Sequence, residues 1–197
     1  MSVSADSIAA AISVAKTRGL PPVDQWNPPY CGDLDIRIKR DGTWFYLGTP
    51  IGRVRLARLF STVLKKEGDD YFLVTPVEKV GITVEDAPFL AVDFDVEGAG
   101  KDQVLSFHTS MGDVAILDAA HPLRVATRPS GEPAPYVEIR SGLEALIDRK
   151  SFFRLAGLAV EYKVDRQDRI GVWSSNVFFP LDDTTVVQGA TANDESH

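Results

Sequence analysis

The chain has 197 residues, 44% hydrophobic and 25% charged, with a formal net charge of −7. Length and composition describe a globular chain able to bury its own core, while the acidic balance opposes nonspecific DNA or RNA binding because like charges repel phosphate backbones. The single cysteine excludes an internal disulfide framework and fits a cytoplasmic setting.

The first predicted element is a short amphipathic helix over residues 6–18. Asp6 precedes its apolar run, which is not the cationic start of a signal peptide, and Gly19 with Pro21 and Pro22 ends it. No apolar run approaches the roughly 20 residues of a membrane span. PPVDQWNPPYCGD, with four prolines, reads as an extended surface connector pinned by Trp26 and Tyr30. Residues 1–33 are therefore an N-terminal helix and connector.

From Leu34 the chain alternates as a strand, with Leu34, Ile36 and Ile38 on one face. Asp41-Gly42 predicts a type I′ hairpin turn. Thr49 and Pro50 read as the cap and first turn of a helix with Leu56, Leu59, Phe60 and Val63 on one stripe, ended by Gly68. The strand patterns YFLVTP, EKVGITV, FLAVDFDV, QVLSFHTS and DVAILD follow, separated by turn residues. Then the order recurs: PYVEIRSGLEALID is strand, turn, strand; Asp148 caps a helix; DRIGVWSS and NVFFPL are strands. Arg55, Leu56, Ala57, Leu59 and Asp69 recur as Arg154, Leu155, Ala156, Leu158 and Asp168, each 99 positions later. We read an internal duplication, with Leu56 and Leu155 both expected inside. The fold class is α+β, in two related halves, each hairpin, helix and antiparallel strands. The first copy covers 34–127 and the second 128–183, with RPSGEPAP (Arg128–Pro135) as the seam and a loose polar tail over 184–197.

Catalytic signatures are sparse. His108, His121 and His197 have neither the spacing nor the partners of a zinc site, and no GxSxG elbow accompanies them. Cys31 is a nucleophile or a packed thiol; the adjacent Asp33 opposes activation and favours packing. Asp93, Asp95 and Glu97 alternate as the wet face of a strand rather than a metal cluster. No metal, cofactor or catalytic residue is assigned. Trp26, Trp44 and Trp173 stand beside small polar groups and are core indoles or a stacking wall for a flat ligand. Arg53 and Glu78 are an ion pair or a ligand anchor.

WNPPYCGDLDIRI, RDGTWFYLGTPIGR, LFSTVL, YFLVTPVEKVGITVEDAPF and VWSSNVFFPL together resemble the bacterial domain-of-unknown-function 1285 family, from about Val23 to Leu181. The resemblance implies a duplicated core and a C-terminal half superficially similar to pleckstrin-homology folds. It also implies a ligand site between the halves, for a nucleotide-like molecule, and a signalling role. The resulting expectation is a cytoplasmic regulatory module binding a small anionic or aromatic ligand. Its site residues would be Trp26, Asn27, Asp33, Arg53, Thr75, Glu78, Trp173 and Asn176. A protein-interaction adaptor is the alternative, and an enzyme using paired carboxylates the third reading.

Overall fold

The computed structural model describes residues 4–14 and 19–182, and the expected tail lies outside them. The chain divides into two units: Met1–Leu90 with Ser141–Leu143, and Ala91–Arg140 with Glu144–His197.

The first unit carries helices α1 (Ala5–Val14) and α2 (Val54–Ser61). Its strands are β1 (Tyr30–Ile38), β2 (Trp44–Tyr46), β3 (Thr49–Pro50), β4 (Leu64–Glu67), β5 (Asp70–Val74) and β6 (Lys79–Val84). They form one sheet in the order β3-β2-β1-β6-β5-β4. The alternation in LDIRI has the expected consequence, because Leu34, Ile36 and Ile38 are all buried. Phe60 of α2 is fully buried and stacks on Trp44, ring centroids 6.3 Å apart, while Ile8 and Ile12 of α1 complete the apolar layer. Trp44 is thus a core indole. The sheet is mixed rather than wholly antiparallel, since β1 and β6 run parallel.

Three local expectations are corrected here. Thr49 and Pro50 do not start α2. The tight turn at Leu47 and Gly48, both at positive φ, folds them back onto β2 as an edge strand, and Arg53 takes the N-cap position without a side-chain hydrogen bond. The Asp41-Gly42 turn is not type I′ but a three-residue loop closed by Lys39 and Thr43, with glycine alone at positive φ. Thr109 with Asp113 and Arg128 with Glu132 close the same loop, with Gly112 and Gly131 in the glycine's place. RPSGEPAP is accordingly a hairpin tip and the start of a strand, not a seam.

The second unit contains most of a sheet in the order β10-β11-β12-β7-β8-β9. Its strands are β7 (Phe89–Glu97), β8 (Val104–Thr109), β9 (Val114–Ile116), β10 (Leu123–Thr127), β11 (Pro133–Arg140) and β12 (Leu143–Ile147). Helix α3 (Arg149–Ala156) follows, then a three-stranded sheet of β13 (Val160–Val164), β14 (Gln167–Ser174) and β15 (Val177–Pro180). Asp148 caps α3 as its sequence position predicts, accepting from the Ser151 N–H at 2.7 Å. Arg154 fastens the helix to β7 through the Asp93 carboxylate and the Phe94 carbonyl, its guanidinium lying 4.5 Å over the Phe94 ring. Strands β7 to β10, grouped by sequence with the first copy, pair instead in one sheet with β11 and β12.

The chain has two similar, sheet-dominated α+β halves, and the duplication lies in element order. Hairpin β1-β2, helix α2 and meander β4-β5-β6 correspond to β11-β12, α3 and β13-β14-β15. The residue alignment at an offset of 99 does not follow the structure. Counted from each helix start, Phe60 and Leu155 share the seventh position and both are fully buried, whereas Leu56 is only half-buried. Asp69 lies in a turn, while Asp168 is inside a strand, opposite Lys163.

Candidate functional site

A groove of about 400 Å³ lies on the sheet of the first unit, lined by β1, β5 and β6. It exists because strand β1 begins earlier than the periodicity indicates, at Tyr30 inside the expected connector. In a regular strand Tyr30 and Asp33 would point to opposite faces. Here Tyr30 pairs with Lys79 and Asp33 with Gly81, so three residues of β1 span two of β6. The extra residue is a bulge at Cys31-Gly32, with Gly32 at φ +96°. It turns both side chains into the groove. Cys31 is left exposed, its thiol 3.4 Å from the Pro29 carbonyl, which corrects the packed-thiol reading.

The Tyr30 hydroxyl donates to Asp33 Oδ1 at 2.6 Å. Phe72 stands in the same row across the sheet, with the Tyr30 ring edge-on to it at 6.2 Å. Gly81 is the floor. A Cβ there would lie 2.1 Å from Asp33 Oδ1, so the carboxylate rests in the notch the missing side chain leaves. Lys79 lies 4.7 Å over the Phe72 ring, and its Nζ donates to Glu67 Oε2 at 2.8 Å, a carboxylate that Lys65 also pairs at 3.2 Å. The bond from Lys79 above all holds the Glu67 carboxyl below its ordinary range. The groove therefore presents two exposed carboxylates, Asp33 and Asp70, beside aromatic rings. Such a surface accepts hydrogen bonds from a flat or cationic group.

The hydrogen bond to Asp33 raises the Tyr30 phenol above the ordinary tyrosine value, because ionisation would place a phenolate against a carboxylate. For a group whose folded pKa is raised, the stabilising contribution is present below the unfolded pKa of about 10 and is lost as pH rises through the folded value. Ultraviolet titration should therefore show a tyrosine ionising late, absent in Tyr30→Phe and shifted down in Asp33→Asn. A parent titration without a late component, or an Asp33→Asn titration superimposable on the parent's, would refute this assignment.

Of the sequence-predicted site residues, Asp33 alone lines this groove. Trp26 follows a 3-10 turn and is half-buried, and Asn27 beside it is exposed. Arg53 is exposed at the start of α2 and makes no ion pair with Glu78 among the described contacts. Thr75 is fully buried, and its hydroxyl accepts from the Glu78 N–H at 3.1 Å, so it shapes the β5-β6 turn. These six belong to the first unit; Trp173 and Asn176 belong to the second. Trp173 is packed by Tyr162 at 4.8 Å and Phe178 at 5.4 Å, with Lys101 Nζ 4.8 Å over its ring. Asn176 sits at φ +63° in the β14-β15 turn, its N–H donating to the Lys101 carbonyl. Lys79 and Gly81 read as ordinary strand residues in EKVGITV, where the isolated glycine is the one local signal of a close approach.

Elsewhere, His108 Nε2 lies 2.7 Å from Asp95 on the outer face of β7 and β8. Asp93, Asp95 and Glu97 are exposed along that face, as the alternation predicts. Among the described residues, no group of three or more histidine, cysteine or acidic side chains could hold a metal ion. Nor is any described helix long and apolar enough to cross a membrane.

Comparison with known families places this architecture. Residues 21–87 match the N-terminal domain of the domain of unknown function DUF1285, and residues 88–181 match the C-terminal domain of the same family. The chain belongs to the DUF1285 family. It is similar to the crystal structure of a DUF1285 protein from Silicibacter pomeroyi DSS-3, 54% identical, with a TM-score of 0.82 over 92% of this chain and 97% of that one. A DUF1285 protein from Shewanella baltica OS155 is 32% identical, with a TM-score of 0.50 over 63% of this chain and 91% of that one. No curated protein matches the chain. In this DUF1285 member the family boundary between residues 87 and 88 falls just before β7, close to the division between the two units.

Proposed function

We propose that the chain is a small-molecule-binding regulatory module whose ligand lies in the groove over Gly81. The observation that carries this reading is the glycine notch holding the Asp33 carboxylate beneath Tyr30 and beside Phe72. A regular strand has no need of such a device, since any small residue would satisfy the pleat. The notch instead holds a carboxylate against the sheet, bonded to the Tyr30 hydroxyl. The ligand class is a flat heterocycle or aromatic amine carrying hydrogen-bond donors, which includes nucleobase-like rings. An anionic group is disfavoured beside the exposed carboxylates Asp33 and Asp70, which would repel it. A signalling role follows if occupancy of the groove is what the cell reads.

Gly81→Ala is the discriminating variant. The obstacle to its Cβ is the end of a flexible side chain, and Gly81 has no positive φ, so the protein stays folded while Asp33 is driven from the notch. Native mass spectrometry of purified protein, and ligand-observed NMR with aromatic amines and nucleobase analogues, should find a ligand on the parent chain. Gly81→Ala and Asp33→Asn should each weaken it by about tenfold or more, as expected for a lost hydrogen bond to a charged group. If Arg53→Ala weakens binding and Gly81→Ala does not, the ligand is anionic and sits elsewhere. A pleckstrin-homology-like adaptor is the second reading. It is favoured by Phe153 of α3, which is 82% exposed and follows the exposed cations Arg149 and Lys150.

A further inference from the structure

Strand β13 ends its sheet: it pairs with β14 on one side, and among the described residues no strand pairs with its other side. An open edge presents unpaired N–H and C=O groups to any strand that fits. The five residues of β13 are Val160, Glu161, Tyr162, Lys163 and Val164, and the first four are exposed. An edge guarded only against pairing could carry charges of one sign. This one carries Glu161 and Lys163 symmetrically about Tyr162, with a valine at each end. We propose that two copies of this chain associate through antiparallel β13-β13 pairing about a two-fold axis at Tyr162.

The register follows from the hairpin. The two-residue turn Asp165-Arg166, both at positive φ, makes Val164 and Gln167 the hydrogen-bonded pair that closes it. Alternation along the ladder then directs the N–H and C=O of Val164, Tyr162 and Val160 toward β14, and those of Glu161 and Lys163 outward. Two copies meeting at Tyr162 bring Glu161 of each opposite Lys163 of the other as hydrogen-bonded pairs. Tyr162 meets its own counterpart in the closer, non-hydrogen-bonded position. Val160 meets Val164. Every cross-strand pair is thereby like with like for apolar groups and opposite for charged ones, the condition for an isologous interface. The outer edge of the Tyr162-Trp173-Phe178 cluster would be covered in the same step. Lys163 already leans 3.5 Å from Asp168 on its own hairpin, so both lysines bridge two carboxylates in the pair.

One short strand pair is a small contact beside a standard interface, so association is concentration-dependent. Sedimentation velocity over a hundredfold range of concentration should show the full-length chain moving from monomer to dimer. Glu161→Lys alone, or Lys163→Glu alone, places like charges opposite each other twice and should raise the dimer Kd by about tenfold or more. The double variant Glu161→Lys/Lys163→Glu restores opposite pairs and should return the dimer. In a Cys31→Ser background, Tyr162→Cys should form a disulfide-linked dimer on mild oxidation, because the introduced thiols face each other across the axis. A parent chain that remains monomeric throughout overturns the proposal. So does a dimer indifferent to the single reversals, or one that the double variant fails to restore.

Discussion

Ser174→Val should lower the stability of the second unit by about 2–4 kcal/mol, one of the larger effects a single substitution can have in this chain. Ser174 is fully buried at the end of β14, and its hydroxyl is spliced into the ladder between β8 and β9. Leu117 N–H donates directly to the Leu105 carbonyl, but the return bond is interrupted. The Leu105 N–H donates to Ser174 Oγ at 3.0 Å, and that hydroxyl donates to the Leu117 carbonyl at 2.6 Å. Valine puts a methyl where the hydroxyl was and prevents the two strands from closing the gap. The Leu117 carbonyl retains the Ser175 hydroxyl at 3.1 Å, but the Leu105 N–H is left buried with no acceptor. Ser174→Thr, which keeps the oxygen, should be markedly milder. Urea denaturation of the three proteins decides the matter, and equal midpoints for parent and valine variant would refute the ladder bridge.

Gly171→Ala should cost about 2–3 kcal/mol, by overpacking rather than by backbone strain. The glycine has no positive φ. Its absent Cβ is the space that β15 occupies: a methyl there would lie 2.3 Å from the Phe179 carbonyl oxygen and 2.7 Å from Cζ of Phe178. The first obstacle is backbone held in the β14-β15 ladder, which cannot step aside without breaking pairs such as Val172 with Phe179. The second is the ring that closes the aromatic cluster on Trp173. The variant should therefore unfold at lower denaturant, and its tryptophan emission should move to longer wavelength as Phe178 leaves the indole. Adding Phe178→Leu should recover only part of the loss, because the carbonyl remains in the way. A full recovery would show that the ring was the whole obstacle. The contrast with Gly81 is physical: there the nearest atom is a mobile carboxylate, and the same substitution is expected to spare the fold and remove the groove.

Much of the local structure follows from neighbouring residues alone. Leu34, Ile36 and Ile38 alternate and are buried; Asp148 stands before a helix and caps it; Asp93, Asp95 and Glu97 alternate and are exposed. These patterns act within a few positions, where side-chain period and capping geometry leave few solutions. The repeated order of hairpin, helix and meander is legible for the same reason, since each piece announces itself locally. What only the tertiary structure decided is which distant pieces meet. The pairing of β1 with β6 across the intervening helix and meander created the bulge at Cys31-Gly32, and through it the meeting of Tyr30, Asp33 and Gly81. Pairing likewise placed β7 to β10 beside β11 and β12, and of the expected stripe on α2 Phe60 is buried while Leu56 and Leu59 are only half-buried. A one-residue bulge reverses the face of every side chain before it, and its position is set by the partner strand, whose identity no local pattern contains.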